Sequence, residues 1–185
     1  MIIDFNKIVK IILLPVLTEN AFVVVEEYKD YVEFKSFAKG IALGVGLFRR
    51  GGNEMSVSLS IGKDVYHTED ISKLYKESEY IYTFLRDEEM AKEAVEALKS
   101  ILLENNCALL NGDKKSFDKL EFIKNKLSKD YNNKRDLNCL TEQANTAWSN
   151  QNYSKFIELI EQRKNEFPSS FAKKLEIAKL KQKHK

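Results

Sequence analysis

The amino-acid sequence predicts an α+β fold, in which an antiparallel meander of four or five strands is covered by helices and followed by a C-terminal helical bundle or hairpin extension. Residues 21–61 show the period-two alternation and the β-branched and aromatic content typical of strands. Residues 87–104 carry one continuous apolar stripe at helical spacing. From residue 111 onward every apolar pattern has the helical period.

The first helix is predicted from apolar residues that recur at helical spacing: Phe5, Ile8, Val9, Ile12 and Val16. Asp4 precedes them and is a suitable N-cap. Proline cannot donate a backbone hydrogen bond, so Pro15 is expected to end or kink the helix near Leu14.

Four strands follow, at residues 21–27, 30–37, 41–48 and 54–61. The fourth strand has the clearest pattern, with apolar residues on one face and glutamate or serine on the other. Gly44 and Gly46 fall on one face of the third strand, which indicates that a bulky group approaches the sheet there. A packed helix is the simpler candidate, and an inserted partner segment is the alternative.

Residues 63–79 are polar, with a short helix expected around 69–76, and residues 80–85 are a candidate fifth strand. A long helix begins after Asp87, and Asn105-Asn106 is expected to end it. Four helical stripes follow, the first of which is expected to stop at Asn132-Asn133. The predicted division is a sheet domain over residues 1–110 and a helical part over 111–185, packed on the first or forming one domain with it.

The number of cysteines and the lengths of the apolar runs indicate the cellular compartment. Cys107 and Cys139 are too few for a disulfide scaffold, which favours free thiols in a reducing compartment. The apolar run at residues 11–17 is short for a signal peptide, and no run approaches the roughly 18 apolar residues that a membrane span needs. The sequence therefore predicts a cytoplasmic protein that does not insert into a membrane.

The charge is unevenly distributed. The net charge is +2, but residues 1–105 carry 13 Lys and Arg against 18 Asp and Glu, a balance of −5, whereas residues 106–185 carry +7. Such a split indicates either different partners for the two halves or attraction between them.

The candidate chemical groups form no catalytic constellation. His67 lies near Asp64, Glu69 and Asp70, but a second nitrogen or sulfur ligand is missing, so an exposed histidine is favoured over a metal ligand. The glycines between residues 40 and 52 lie within and between strands, where a phosphate-binding loop would lead into a helix. We therefore expect no enzyme activity, no catalytic residues, no metal and no cofactor.

One segment resembles a tetratricopeptide-type helical hairpin. The residues that carry the resemblance occupy the positions where two helices of that motif interlock, and a proline stands where the motif often ends: Ala144, Trp148, Tyr153, Phe156, Ile160 and Pro168. Only one copy of the motif is found, which implies a single hairpin that needs to pack against the rest of the protein for stability.

The whole chain resembles small bacterial immunity-type proteins, the antidotes of polymorphic or contact-dependent toxins, in its leading helix, short meander, covering helix and helical end. The resemblance implies a non-enzymatic protein that binds and neutralises a secreted toxin domain. The charge split of the sequence favours electrostatic steering toward a basic partner. The partner-binding candidates are Glu26, Glu27, Asp30 and Glu33, and a second group of Asp64, Glu69 and Asp70. The alternative is a nucleic-acid or anionic-surface binder that uses the six lysines of residues 171–185.

Overall fold

The structure is a computed structural model, and it describes residues 3–49, 52–74 and 84–183. Its elements, in chain order, are α1 Phe5–Glu19, β1 Val23–Tyr28, β2 Tyr31–Ser36, β3 Ile41–Phe48, β4 Glu54–Ile61, β5 Asp64–His67, α2 Thr68–Ser72, α3 Glu88–Cys107, α4 Lys114–Ser149, α5 Tyr153–Gln162 and α6 Ser170–Lys183. The chain divides into two compact units, residues 1–125 and 126–185. Each unit has its own apolar core.

The predicted α+β class is confirmed. The five strands form one sheet in the order β1-β2-β3-β4-β5, and every neighbouring pair is antiparallel. The predicted face of β4 is also confirmed, because Met55, Val57 and Leu59 are buried. They join the buried residues of β2 and β3, and those of α1 and α3, in the core of the first unit.

Helix α1 runs past the proline that was expected to end it. Asp4 caps the first turn, as predicted, by accepting a hydrogen bond from the Lys7 amide, but the helix continues through Pro15 to Glu19. Pro15 removes only the hydrogen bond to the Ile11 carbonyl, and Ile11 faces solvent with its side chain 65% exposed. Water can satisfy that carbonyl, so the helix tolerates the proline.

The fifth strand of the sheet is β5, and the candidate strand at residues 80–85 lies mostly outside the described residues. Residues 80–83 of the predicted strand lie outside the described residues, and Phe84 forms an isolated bridge with Glu54. The strand β5 lies at Asp64–His67, within the stretch interpreted as a polar connection. Only Tyr66 in this strand is buried. A strand of four residues with one buried side chain shows no alternation of apolar and polar residues by which the sequence could predict it. The expected short helix is α2, at Thr68–Ser72; residues 75 and 76 are not described.

The two asparagine pairs behave differently. Asn105 and Asn106 have positive φ angles of 49° and 56° inside the span of α3, and the regular helix ends before them as predicted. Asn132 and Asn133, in contrast, lie within the continuous helix α4. The predicted helix end at this pair was wrong, because an asparagine in a helix interior lowers helix stability by only about 0.5 kcal/mol relative to alanine.

The beginning of α4 belongs to the first unit. Phe117 and Leu120 are buried in its core, and the Phe117 ring lies 5.7 Å from the Tyr66 ring. The division at residue 125 therefore lies within α4, whereas the sequence pattern placed it near residue 110.

The core of the second unit is built around Phe156. Its side chain is fully buried, and its ring lies 5.2 Å from Trp148 and 6.1 Å from Phe171. Ala144 and Ile160 complete the same cluster. The residues that resemble a helical hairpin thus pack together, and α5 and α6 pack against each other.

Candidate protein-binding face

The sheet has two different faces. One face packs into the core; the other, which we call the outer face, carries the alternate side chains of all five strands. Its centre consists of small residues on β3 and β4: Ala42, Gly44, Gly46, Ser56, Ser58 and Ser60. Large exposed aromatic side chains stand around this centre, namely Tyr28, Phe37 and Phe48, which are 62%, 70% and 62% exposed.

The group that approaches the two glycines of β3 is the side chain of Tyr31. A Cβ atom built on Gly44 would lie 2.5 Å from the Tyr31 hydroxyl, and one built on Gly46 would lie 3.1 Å from the Tyr31 ring. The phenol therefore lies across the backbone of β3, which only glycine permits. The bulky neighbour is a cross-strand tyrosine, where a packed helix or a partner segment was expected.

Tyr31 is also part of a polar group with two glutamates. Its hydroxyl donates a hydrogen bond to Oε2 of Glu33 at 3.0 Å, and Glu33 is the register partner of Glu26 on β1. Burial of the phenol, followed by the hydrogen bond to Glu33 and the charges of Glu33 and Glu26, raises the pKa of Tyr31 to about 12. The phenol thus remains a protonated donor throughout the physiological range.

Glu26 and Glu33 are register partners on β1 and β2, beside a register irregularity between Val24 and Glu26. Among the described residues, neither glutamate forms an ion pair within 4.0 Å. Lys35, on the same face, lies over the Phe37 ring at 5.1 Å. Like charges directly opposite each other in a sheet are destabilising, so this pair is a cost to the isolated fold.

The other two acidic candidates of this region are neutralised within the molecule. Glu27 accepts hydrogen bonds from Lys10 at 2.8 and 3.0 Å, and these bonds lower the pKa of Glu27. Asp30 receives two hydrogen bonds of 2.6 Å from Arg49, which likewise lower the pKa of Asp30. Both residues tie the first hairpin to neighbouring segments and are poor candidates for a partner.

The second acidic group is divided. Asp70 is only 6% exposed and accepts a hydrogen bond of 2.9 Å from the His67 amide, so it secures the start of α2. Asp64 and Glu69 are exposed, and so is His67. In the part of the chain that the structure describes, no three His, Cys, Asp or Glu residues are placed to hold a metal. The expected absence of a metal stays a prediction.

Three lysines of α6 have partners within the second unit. Lys179 forms an ion pair with Glu161 at 2.6 Å. Lys174 lies 5.5 Å from the centre of the Trp148 ring, and Lys181 lies 5.3 Å from that of Tyr153. These contacts account for three lysines of the C-terminal charge run as elements of local packing.

The described helices include none that is long and apolar enough to cross a membrane. No family model, no curated protein and no solved structure matches this chain.

The aromatic part of this face was not predicted from the sequence. Tyr28 and Tyr31 stack with ring centres 6.2 Å apart, next to the glutamates that were predicted. Their spacing around a two-residue turn, Lys29-Asp30, is the signal that places them side by side. The glycine pair of β3 pointed to a covering group, but only the register between β2 and β3 identifies it as Tyr31.

Proposed function

We propose that this protein is a non-enzymatic, stoichiometric inhibitor of the immunity type, which neutralises a bacterial toxin domain by binding it through the outer face of the sheet. The proposal rests on one observation above all: Glu26 and Glu33 form an unneutralised carboxylate pair beside Tyr31. A cation from a partner would remove their repulsion on binding. The partner surface is therefore basic, with lysine or arginine at its centre.

The surroundings of the pair support a protein partner. Aromatic residues are enriched in protein interfaces, because they bury much area with few rotatable bonds. Tyr28, Phe37 and Phe48 expose more than half of their side-chain surface beside a floor of small residues. An acidic pair between exposed aromatic rings offers both apolar contact and orientation to a basic protein.

The test is co-purification with the toxin domain encoded by the adjacent reading frame. We expect a 1:1 complex that inhibits the toxin and is preserved at moderate salt. Replacing both carboxylates, with Glu26→Gln and Glu33→Gln, should weaken the complex by about tenfold or more. The double variant Glu88→Gln and Glu93→Gln is the matched control, because both residues are exposed glutamates of α3 and the change in charge is the same.

Two outcomes would count against the proposal. If the double variant binds as tightly as the wild type while Asp64→Asn does not, the interface lies at β5 and α2 instead. If no complex forms and the protein is retained on DNA or heparin, the basic C-terminal residues are the functional surface. The point variant Lys173→Gln is suited to that test. A deletion of residues 171–185 is not, because it would also remove the buried side chains of Phe171 and Leu175.

A further inference from the structure

The strand β1 forms an open edge of the sheet. It has one neighbour, β2, and all six of its residues are exposed. Three consecutive valines, Val23, Val24 and Val25, expose 51%, 36% and 37% of their surface. An edge strand leaves part of its backbone N–H and C=O groups without partners in the sheet, and another strand can pair with them. Among the described side chains, Asn6 reaches this strand at the Tyr28 carbonyl, at its far end.

The opposite edge of the same sheet is partly covered. The strand β5 has four residues, and Lys124 of α4 donates a hydrogen bond of 3.1 Å to the Val65 carbonyl. Tyr66 in the same strand is buried against Phe117. The two edges thus differ in degree: β5 has one carbonyl bonded to α4 and one buried residue, whereas all six residues of β1 are exposed.

The charges of β1 indicate which kind of strand could pair with this edge. Glu26 lies on the outer face between Glu33 and the open edge, so a strand added beside β1 would place one of its residues next to Glu26. A second copy of this chain, paired antiparallel about the middle of β1, would bring Glu26 and Glu27 close to the same residues of its partner. Like charges so placed oppose pairing. A strand with a basic residue in that position would instead form an ion pair with Glu26.

We propose that β1 accepts an extended segment of the partner as a sixth antiparallel strand, with apolar residues along Val23–Val25 and a lysine or arginine opposite Glu26. This inference rests on the proposed function, because the same basic partner supplies the strand. Backbone hydrogen bonds would provide affinity, and alternate side chains would provide selectivity.

The experiment uses the full chain and two capped seven-residue peptides, one of alternating lysine and valine and the other with glutamate in place of lysine. Amide hydrogen exchange is followed residue by residue by NMR. With the lysine peptide, we expect exchange to slow by about tenfold or more at amides within Val23–Glu27 and to remain unchanged in β5. The glutamate peptide should produce no protection.

Glu26→Lys is the decisive variant, because it removes the repulsion from Glu33 and should leave the fold intact. In this variant, the peptide preference should reverse, with the glutamate peptide protecting β1 and the lysine peptide losing its effect. Equal protection in β1 and β5, an unchanged preference in Glu26→Lys, or no protection by either peptide would overturn the inference.

The toxin complex separates this inference from the proposed function. A 1:1 inhibitory complex in which the β1 amides exchange as in the free protein would leave the function standing and overturn strand addition. Selective binding of the lysine peptide without any toxin complex would support strand addition and count against the immunity role.

Discussion

Each compact unit contains four ion pairs among the described residues, but the first unit also holds two glutamates at opposing register positions that form no such pair. In the second unit, Lys179 pairs with Glu161 and Arg163 pairs with Glu166, each at 2.6 Å. In the first unit, Glu26 and Glu33 lie opposite each other without a basic partner among the described residues. Although the sequence of the second unit is the more basic, three of its C-terminal lysines, Lys174, Lys179 and Lys181, serve local packing. Net charge along a chain therefore does not locate a binding surface; charges that the fold leaves unneutralised do so better.

The same contrast exists within the first hairpin. Glu27 and Asp30 are neighbours of Glu26 and Glu33 in sequence, yet they pair with Lys10 and Arg49. Within the eight residues from Glu26 to Glu33, the two inner carboxylates form ion pairs and the two outer ones do not. Substitutions of the ion-paired and of the unpaired carboxylates therefore test whether this difference affects stability and binding.

The largest effect is expected from Phe156→Ala, which should destabilise the second unit by about 3–5 kcal/mol because it opens a cavity at a fully buried ring. Trp148 is the only tryptophan in the chain and contacts Phe156, so its fluorescence during urea unfolding reports this unit. Phe167→Ala is the control: Phe167 is only partly buried and should cost less. A similar loss in both variants would mean that the core is not centred on Phe156.

A smaller loss, about 1–3 kcal/mol, is expected from Gly44→Val, because a Cβ at this position would lie 2.5 Å from the Tyr31 hydroxyl and 2.6 Å from the Ser58 hydroxyl. The sign is informative, since valine ordinarily favours a strand over glycine. In a double-mutant cycle, Tyr31→Ala should relieve much of the cost. Urea midpoints measure both, and additive effects would contradict the proposed packing of Tyr31 on β3.

High pH should destabilise the fold through two tyrosines. Burial raises the pKa of Tyr31 to about 12, and burial together with Glu121 and Asp64 does the same for Tyr66. Below the unfolded pKa of about 10, both states are protonated and stability is constant. Between about 10 and 12, the unfolded state ionises first, so stability falls as pH rises. Urea midpoints at pH 9 and 11 should show this loss, and Tyr31→Phe should lessen it.

Much of the sheet was predictable because its central strands are long and strictly patterned. β4 alternates over eight residues, with Met55, Val57 and Leu59 buried. The position of Tyr31 over Gly44 was not predictable, since it depends on the register between β2 and β3, which joins residues far apart in sequence. The acidic part of the candidate site was therefore found from composition, and its aromatic part required the fold.

The errors also have local causes. Asn105-Asn106 and Asn132-Asn133 give the same sequence signal, but only the first pair adopts positive φ. The second lies in a helix that continues to Ala144 and Ala147, whose burial in the second core stabilises the helical path. Tertiary packing thus determines whether the helix continues where helix propensity alone is nearly neutral.

The smallest effect concerns the pair on which the comparison depends. Glu26→Gln removes a negative charge opposite Glu33, so we expect it to stabilise the free protein by about 0.2–1 kcal/mol while weakening the partner complex. Glu27→Gln, its neighbour on the same strand, loses the ion pair with Lys10 and should give no gain. Thermal and urea midpoints at low and high salt measure the difference, and the gain from Glu26→Gln should shrink as salt screens the repulsion. A loss of stability in Glu26→Gln, or an equal gain in both variants, would show that Glu26 and Glu33 do not repel each other in solution.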